Sequence, residues 1–300
     1  MRSRVGELRG YAAILTASGL FGASATVGTL LLTNLGLDPL VGLVYAHGIA
    51  SLVFLPFAFR TPPRRKDALL FAVWGLNGAG LAPLLWFYGI SLTVATEAAL
   101  LANLEALFTV TFAYVFLKER VPRRGYVGIV ALLVGAVAVT TNFDFRTFGF
   151  TAHLAGNSLI ILSSCLFGID NNISRVLIGR YDRRGIPFFK IWIGLAVLIP
   201  ISFAIRAPYS FSPSILGLAV FLGIGGVAGV MWFFYIAFEE IGAMRTGALI
   251  STSALFGVAI AFGVFQTAPT VVQFGGGLLM VAGTFLTSEW TPRIRRNRQG

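Results

Sequence analysis

Long apolar runs follow one another along the whole chain and are separated by short polar segments. An α-helix rises about 1.5 Å per residue, so about 20 apolar residues cross the roughly 30 Å hydrocarbon core of a bilayer. Because backbone polar groups in lipid need partners within the chain, we expect helices. The pattern predicts an all-α integral membrane protein with ten transmembrane helices, at roughly residues 11–33, 39–59, 68–90, 96–117, 125–142, 152–178, 186–205, 213–238, 246–265 and 270–288.

The composition agrees with a membrane protein. Of the 300 residues, 56% are hydrophobic and only 12% are charged, whereas about 25% of the residues in soluble domains are charged. The single cysteine, Cys165, excludes an internal disulfide and a cysteine-based metal motif.

The positions of the basic residues predict the orientation of the chain. With the N-terminus inside, all but Arg146 and Arg206 of the 23 Lys and Arg residues fall in cytoplasmic segments, as the positive-inside rule requires. Arg175, Lys190 and Arg245 belong to this cytoplasmic set. We therefore expect a multi-pass protein of the cell inner membrane with both termini in the cytoplasm. The net charge of +11 is explained without a nucleic-acid partner.

The chain resembles itself at a shift of 146 to 148 residues. The tripeptide LFG at 20–22 recurs at 166–168, and ALF at 106–108 recurs at 254–256. We expect two halves, residues 1–148 and 149–300, of five helices each. Because five is odd, the second half is inverted in the membrane, a plan that recurs in secondary transporters with a site at the interface of the repeats. Chance similarity among helices rich in Leu, Ala and Gly is the alternative.

Ionisable and amide side chains lie in the middle of the predicted sixth helix. A charge there costs about 2.5–3.5 kcal/mol on insertion scales, so it normally faces the bundle interior or a water-filled cavity. Ser163, Phe167 and Asp170 share one helix face because they are spaced by four and three residues. Asn171 turns towards a neighbouring helix. The stripe is either a polar cavity wall or a set of interhelical hydrogen bonds, including a pairing of Asp170 with Arg175.

Glu105 is the corresponding candidate in the predicted fourth helix. At the repeat shift its counterpart is the uncharged Ser253, and the counterpart of Asp170 is Ser24, so the charge is asymmetric between the halves. Glu105 is either a protonatable switch or a neutral acid that holds helices together. His47, inside the second helix, is either a titratable site residue or a hydrogen-bonded packing residue.

Aromatic side chains add candidates in the third and eighth helices. Trp74 and Asn77 share one face of the third helix and Trp86 lies on another, and the spacing does not choose between them. Pro83 removes a backbone donor and predicts a bend in this helix. Trp232 is a candidate for extending the same cavity.

Residues 103–139, with the sequence NLEALFTVTFAYVFLKERVPRRGYVGIVALLVGAVAV, resemble the signature of the EamA-type transporters of the drug/metabolite transporter superfamily. LFGASATVGTLLL resembles the first helix of that family, and the third, fourth and sixth helices are most similar to YddG-type aromatic amino acid exporters. Ala106 departs from the family by standing where it often has Pro, and His47 stands where many relatives carry Arg. The resemblance implies that Trp86, Asn103, Glu105 and Phe167 face the substrate.

The sequence therefore predicts a secondary transporter that moves amino acids or related small metabolites across the inner membrane by alternating access, with export implied by the resemblance alone. A proton-coupled multidrug or metabolite antiporter of the same fold is the alternative, and an intramembrane enzyme is disfavoured because His47 and His153 lack the spacing of a zinc motif. We expect a small-molecule substrate, membrane lipid and no cofactor, and the oligomeric state is open, a monomer included. The candidate substrate-binding residues are Ser24, His47, Asn77, Trp86, Asn103, Glu105, Ser163, Phe167, Asp170, Asn171, Trp232 and Ser253.

Overall fold

A computed structural model describes residues 4–59, 62–93, 101–120, 123–144, 146, 153–265 and 270–288, and these ranges contain helices and no strand. The helices are α1 (Arg4–Thr29), α2 (Pro39–Ala58), α3 (Arg65–Ser91), α4 (Leu104–Val115), α5 (Arg123–Thr141), α6 (Leu154–Ile178), α7 (Ile186–Ala204), α8 (Pro213–Ile241), α9 (Ala243–Leu249), α10 (Ser253–Phe265) and α11 (Val271–Ser288). Seven of them, α1 to α3 and α5 to α8, are long and apolar enough to cross a membrane, and α4 and α11 are shorter apolar helices. The predicted helix starts at 96 and 152 and the basic cluster at 293–298 lie outside the described residues.

Local sequence sets the starts of two long helices. The Asp38 carboxylate accepts hydrogen bonds from the backbone N–H groups of residues 40 and 41, at 2.9 and 3.2 Å, and Pro39 occupies the first turn of α2. The Ser212 hydroxyl accepts from the Ile215 N–H at 3.3 Å in the same way, and Pro213 begins α8. These caps satisfy donors that the first turn leaves free, and proline costs nothing there because its position needs no donor.

Both α3 and α8 contain a π-helical segment, at Leu76–Leu81 and Leu222–Gly229. In α3 the Ala82 N–H bonds to the Asn77 carbonyl, five residues back, immediately before Pro83. The wider turn accommodates the missing donor of the proline, so the predicted disturbance of this helix takes the form of a π segment. The two segments begin at positions related by the repeat shift of 146 residues.

Glycines of the repeated LFG motif make reciprocal contacts between the two halves. A Cβ built on Gly22 of α1 would lie 2.8 Å from the Ser253 carbonyl oxygen and 3.2 Å from the Phe256 Cβ. A Cβ on Gly168 of α6 would lie 2.6 Å from the Cβ of Phe108 in α4. Gly22 corresponds to Gly168, and Phe256 to Phe108, so equivalent residues pack on equivalent partners across the interface.

The third helices of the two halves pack in an equally reciprocal way. A Cβ on Gly75 of α3 would lie 2.5 Å from the Cβ of Ile193 in α7, and a Cβ on Gly223 of α8 would lie 2.6 Å from the Cβ of Ile49 in α2. In each case only a glycine permits this approach of two helices. The halves therefore interlock through α3 on α7 and α8 on α2.

Helices α5 and α11 pack against each other through glycines. A Cβ on Gly135 would lie 2.7 Å from the Gly276 carbonyl oxygen, and a Cβ on Gly283 would lie 2.8 Å from the Gly128 carbonyl oxygen. These residues act as packing notches, because their missing side chains let the two backbones approach.

Two basic residues that the charge pattern assigned to cytoplasmic segments are buried inside helices. Lys190 belongs to α7 and is 4% exposed, and Arg245 belongs to α9 and is 1% exposed. Lys190 is therefore a buried helix residue and not a solvated loop residue, and the side of the membrane on which it lies stays a prediction. Sorting basic residues by loop takes each one as solvated, whereas a buried carboxylate on another helix accommodates this ammonium.

Ion pairs join the two halves near the remaining basic segments. The Arg245 guanidinium lies 2.6 Å from the Glu7 carboxylate. Three further pairs join the halves: Arg9 with Glu240 at 3.8 Å, Arg180 with Asp67 at 3.4 Å and Arg175 with Glu119 at 3.9 Å.

In the connection between α6 and α7, hydrogen bonds from Arg184 lower the pKa of the Asp182 carboxyl.

Glu119 is the acceptor that holds the start of α9. Its carboxylate accepts hydrogen bonds from the Ala243 and Met244 N–H groups, at 3.3 and 2.9 Å. Gly242, with φ of 84°, supplies the left-handed backbone that turns the chain there. The negative charge also complements the positive end of the helix dipole. A side chain that follows α4 thereby ties the first half to the second.

Candidate functional site

A buried ion pair lies between α6 and α7. The Lys190 ammonium donates a hydrogen bond to Asp170 Oδ2 at 2.6 Å, and both side chains are 6% exposed. Asp170 Oδ1 is also buried and has no hydrogen-bond donor among the described residues. The Lys190 Nζ atom lies 5.0 Å from the centroid of the Trp74 ring, within range of a cation–π attraction. The predicted alternative partner of Asp170, Arg175, instead lies 3.9 Å from Glu119.

The π segment of α3 covers this ion pair. A Cβ built on Gly78 would overlap the Asp170 carboxylate and would lie 2.8 Å from the Lys190 Cε. Only a residue without a side chain fits between the α3 backbone and the carboxylate. The helical irregularity before Pro83 therefore places bare backbone directly on the two charges.

Side-chain amides on α6, next to Asp170 in the sequence, form hydrogen bonds with α4. Asn171 donates to Glu105 Oε1 and to the Thr109 hydroxyl, each at 3.0 Å. The next residue, Asn172, donates to the Thr109 carbonyl at 3.1 Å. Glu105 is half-buried, and the charges of Asp170 and Lys190 act on it electrostatically. We call Glu105, Thr109, Asp170, Asn171 and Lys190 the central polar cluster.

An aromatic wall borders the cluster on the side of α3. Trp74 is fully buried and its indole N–H donates to the Ser174 hydroxyl at 2.9 Å. Its ring lies 6.3 Å from that of Tyr235 in α8. Of the two tryptophans of α3, Trp74 therefore faces the bundle interior, whereas Trp86 is half-buried.

Two further predicted site residues bond α3 to α6. Ser163 donates to the Ala82 carbonyl at 2.7 Å, and the Asn77 amide donates to the Leu166 carbonyl at 2.8 Å. The first bond satisfies a carbonyl that follows the π segment of α3, and the second runs from a side chain of that segment to a carbonyl of α6. These side chains hold α6 against α3 in this conformation.

Two other predicted residues bond to their own helices. His47 is 6% exposed, and its Nδ1 lies 3.1 Å from the Leu43 carbonyl oxygen, within electrostatic reach of Lys190. Ser24 donates to the Leu20 carbonyl at 2.7 Å. A Cβ on Gly226 would lie 2.5 Å from the Ser24 hydroxyl oxygen, so Ser24 faces the π segment of α8.

The remaining predicted residues lie away from the central polar cluster or at its edge. Trp232 packs against Phe54 and Phe57 of α2, at centroid distances of 6.4 and 5.7 Å. Asn103 lines an apolar groove of about 290 Å³ between α4 and α5, and Asn77 lines one of about 420 Å³ between α3 and α7. Trp86, Phe167 and Ser253 are half-buried.

Lys190 and Thr109 belong to the cluster but are not among the site residues predicted from the sequence. Lys190 had a visible signal, because it is the single charged residue in the 19 residues of α7. Thr109 had none, since a threonine in an apolar helix is unremarkable without its partners. Within the described ranges, His, Cys, Asp and Glu side chains form no group of three that would hold a metal ion.

The family model described as the EamA-like transporter family matches the chain twice, at residues 8–141 and 154–289. This chain belongs to the EamA-like transporter family. The predicted family is thereby confirmed, and the family together with the long apolar helices makes the chain a multi-pass membrane protein. The resemblance to YddG-type exporters in particular stays a prediction.

Several similar proteins are named as transporters or exporters. A protein of Methanothermobacter thermautotrophicus named "Uncharacterized transporter" is 30% identical over 93% of this chain and 86% of its own length. A "Probable terminal-alkyne amino-acid exporter" of Streptantibioticus cattleyicolor is 23% identical, over 78% and 77%. The "Pseudopaline exporter CntI" of Pseudomonas aeruginosa is 23% identical, over 75% and 76%. One crystal structure, 20% identical, shares the fold with a TM-score of 0.78 over 96% of this chain and 99% of its own.

Proposed function

We propose that this EamA-family protein is a secondary transporter that exports amino acids or related small metabolites across the inner membrane by alternating access. The observation that carries the proposal is the buried central polar cluster, in which a carboxylate and an ammonium pair at 2.6 Å inside a bundle of apolar helices. Intramembrane charges of this kind are rare and typically belong to substrate or ion pathways. Two similar proteins are named as exporters, one of an amino acid and one of pseudopaline.

The proposed architecture has ten transmembrane helices in two inverted halves, residues 1–148 and 149–300, with both termini in the cytoplasm. In this arrangement α4 is the fourth span, and α9 and α10 together form the ninth. The two family matches support the division into halves, and so do the reciprocal contacts of Gly22 and Gly168. Rocking of one half against the other would then open the cluster to alternate sides of the membrane.

The proposed substrate path runs along the face where α3 meets α6 and α7. Asp170, Asn171 and Glu105 supply polar groups for the substrate, and Ser24, His47, Asn77, Ser163 and Ser253 supply further ones. Four further candidate substrate-binding residues become exposed to substrate in this proposal when the halves move: Trp86, Asn103, Phe167 and Trp232. Membrane lipid is the other partner, and no resident cofactor takes part in this function.

Proton-coupled antiport on the same fold is the second candidate function. The observation that favours it is Glu105, an ionisable acid bonded to Asn171 beside an existing ion pair. A proton taken up by Glu105 on one side and released on the other would exchange for substrate.

Counterflow in proteoliposomes tests the function. Vesicles containing the purified protein are loaded with a mixture of unlabelled amino acids, and each labelled amino acid is then offered outside. We expect saturable accumulation of at least one labelled amino acid and its loss in Glu105→Gln. Wild-type protein that accumulates none above empty vesicles would contradict the proposal. Exchange that a pH gradient leaves unchanged would contradict the proton-coupled alternative.

A further inference from the structure

The Asp170–Lys190 pair belongs wholly to the second half of the chain, and its cover belongs to the first. Asp170 lies on α6 and Lys190 on α7, whereas Gly78 and Trp74, which contact them, lie on α3. The pair therefore lies at the interface of the two halves. A movement between the halves uncovers both charges together.

The interface over the pair is made of small residues. A Cβ on Gly75 would lie 3.0 Å from the Lys190 carbonyl oxygen, and a Cβ on Gly194 of α7 would lie 2.5 Å from the Ala79 carbonyl oxygen. At these two positions the missing side chains let the backbones of α3 and α7 approach closely.

An ion pair in this position is costly as a purely structural element. Removing two charges from water costs several kcal/mol per ion, and well-packed apolar residues often serve stability equally well. The pair is also incompletely satisfied, because Asp170 Oδ1 has no donor among the described residues. The pair thus offers one acceptor oxygen that no donor of the described residues occupies.

We infer that Asp170 and Lys190 select substrates that are net-neutral zwitterions, with the substrate ammonium held by the Asp170 carboxylate and the substrate carboxylate held by the Lys190 ammonium. This inference rests on the proposed function and assigns the charge type of its substrate. A lysine offers three donors and no acceptor, and an ionised aspartate offers acceptors only, so the two ends of a zwitterion fit one each.

Selectivity for zwitterions over amines and acids follows from the charge balance of the site. The pair is neutral when the site is empty, and it stays neutral when a zwitterion separates the two groups and bonds to both. A substrate with only the amine or only the carboxylate leaves one net charge in a low-dielectric interior, where uncompensated charge is strongly unfavourable. Zwitterions are therefore preferred over amines and acids that share the same side chain.

The test uses three variants and one matched control. Asp170→Asn and Lys190→Met each remove one charge, and the double variant Asp170→Asn/Lys190→Met removes both. Because neutralising both partners leaves no buried charge unpaired, the double variant is expected to fold even where a single variant does not. Asp182→Asn/Arg184→Gln neutralises a pair at 2.8 Å in a loop outside the site.

The probe is the labelled amino acid that the wild-type protein exchanges fastest, together with the amine and the carboxylic acid of the same side chain. Ligand-dependent shifts of the unfolding temperature in detergent report binding, and counterflow reports transport. We expect the zwitterion to stabilise the wild type and the control at concentrations at least tenfold lower than those at which the amine or the acid does so. We expect Asp170→Asn to prefer the acid, Lys190→Met to prefer the amine, and the folded double variant to lose at least tenfold in zwitterion counterflow.

The possible outcomes distinguish a failure of this inference from a failure of the proposed transport function. A folded double variant that exchanges the amino acid at the wild-type rate would overturn the assignment of the pair and leave the transport function standing. A wild-type protein stabilised equally by zwitterion, amine and acid would do the same. A wild-type protein that exchanges no amino acid would overturn the function and the inference together.

Discussion

The backbone of Gly78 lies against the Asp170 carboxylate so closely that a Cβ at position 78 would overlap it. We predict that Gly78→Ala displaces Asp170 from Lys190 and reduces transport at least tenfold, because the added methyl group occupies the space of the carboxylate. Gly80→Ala is the matched control, since a Cβ there would meet its nearest neighbours at 3.8 Å. Initial rates of counterflow for both variants measure the effect. Equal rates would show that the cover on Asp170 is unimportant for transport.

Thr109 links α4 to α6 through its hydroxyl as well as its carbonyl. We predict that Thr109→Val destabilises the protein by about 1–2 kcal/mol, because the Asn171 amide loses an acceptor in a buried position while the shape is kept. Thr111→Val is the control, since the Thr111 hydroxyl is exposed and donates to a carbonyl of its own helix, that of Leu107, at 2.8 Å. Thermal unfolding in detergent compares the two. A loss of stability as large in the Thr111 variant would contradict the role of the hydroxyl.

Glu119 caps the start of α9 from across the interface of the halves. We predict that Glu119→Ala lowers stability by about 1–2 kcal/mol, the usual cost of losing a side-chain cap at a helix N-terminus. Glu239→Ala, whose carboxylate is 46% exposed and pairs with Arg183, should cost less than about 1 kcal/mol. The difference between the unfolding temperatures tests the prediction. A reversed order would show that the cap contributes little.

Two neighbouring glycines of α11 differ in their surroundings. A Cβ on Gly276 would lie 2.9 Å from the Gly135 carbonyl oxygen, whereas a Cβ on Gly275 would meet nothing within 4 Å. We predict that Gly276→Ala separates α5 from α11 and lowers the unfolding temperature, and that Gly275→Ala does not lower it. Two variants with the same unfolding temperature would contradict the packing of these helices.

Much of the helical layout follows from the sequence, because length and apolarity are local properties. The positions of the long helices and the caps at Asp38 and Ser212 each depend on a short stretch of residues. The reciprocal contacts of Gly22 and Gly168 also have a sequence signal, since the LFG motif repeats where the two halves meet.

The site itself depends on contacts that no local pattern encodes. Asp170 and Glu105 stand out as acids in apolar helices, yet the partner of Asp170 is a lysine that the positive-inside pattern assigned to the cytoplasm. Whether Trp74 or Trp86 points into the bundle interior depends on how α3 is rotated against α6. That rotation follows from the fit of Gly78 and Gly75 to their neighbours, which is a property of packed pairs of helices.

The most direct test of the account asks whether water and substrate reach the central polar cluster from both sides of the membrane. Thr109 is fully buried beside Asn171, so a cysteine placed there reports on opening of the cluster. In a Cys165→Ala background, Thr109→Cys should react with a membrane-impermeant thiol reagent added from either side, and more slowly with substrate present. Lys118→Cys, outside the helices, controls for reagent activity. Absence of reaction at Thr109→Cys from both sides, in protein that still transports, would contradict alternating access through this cluster.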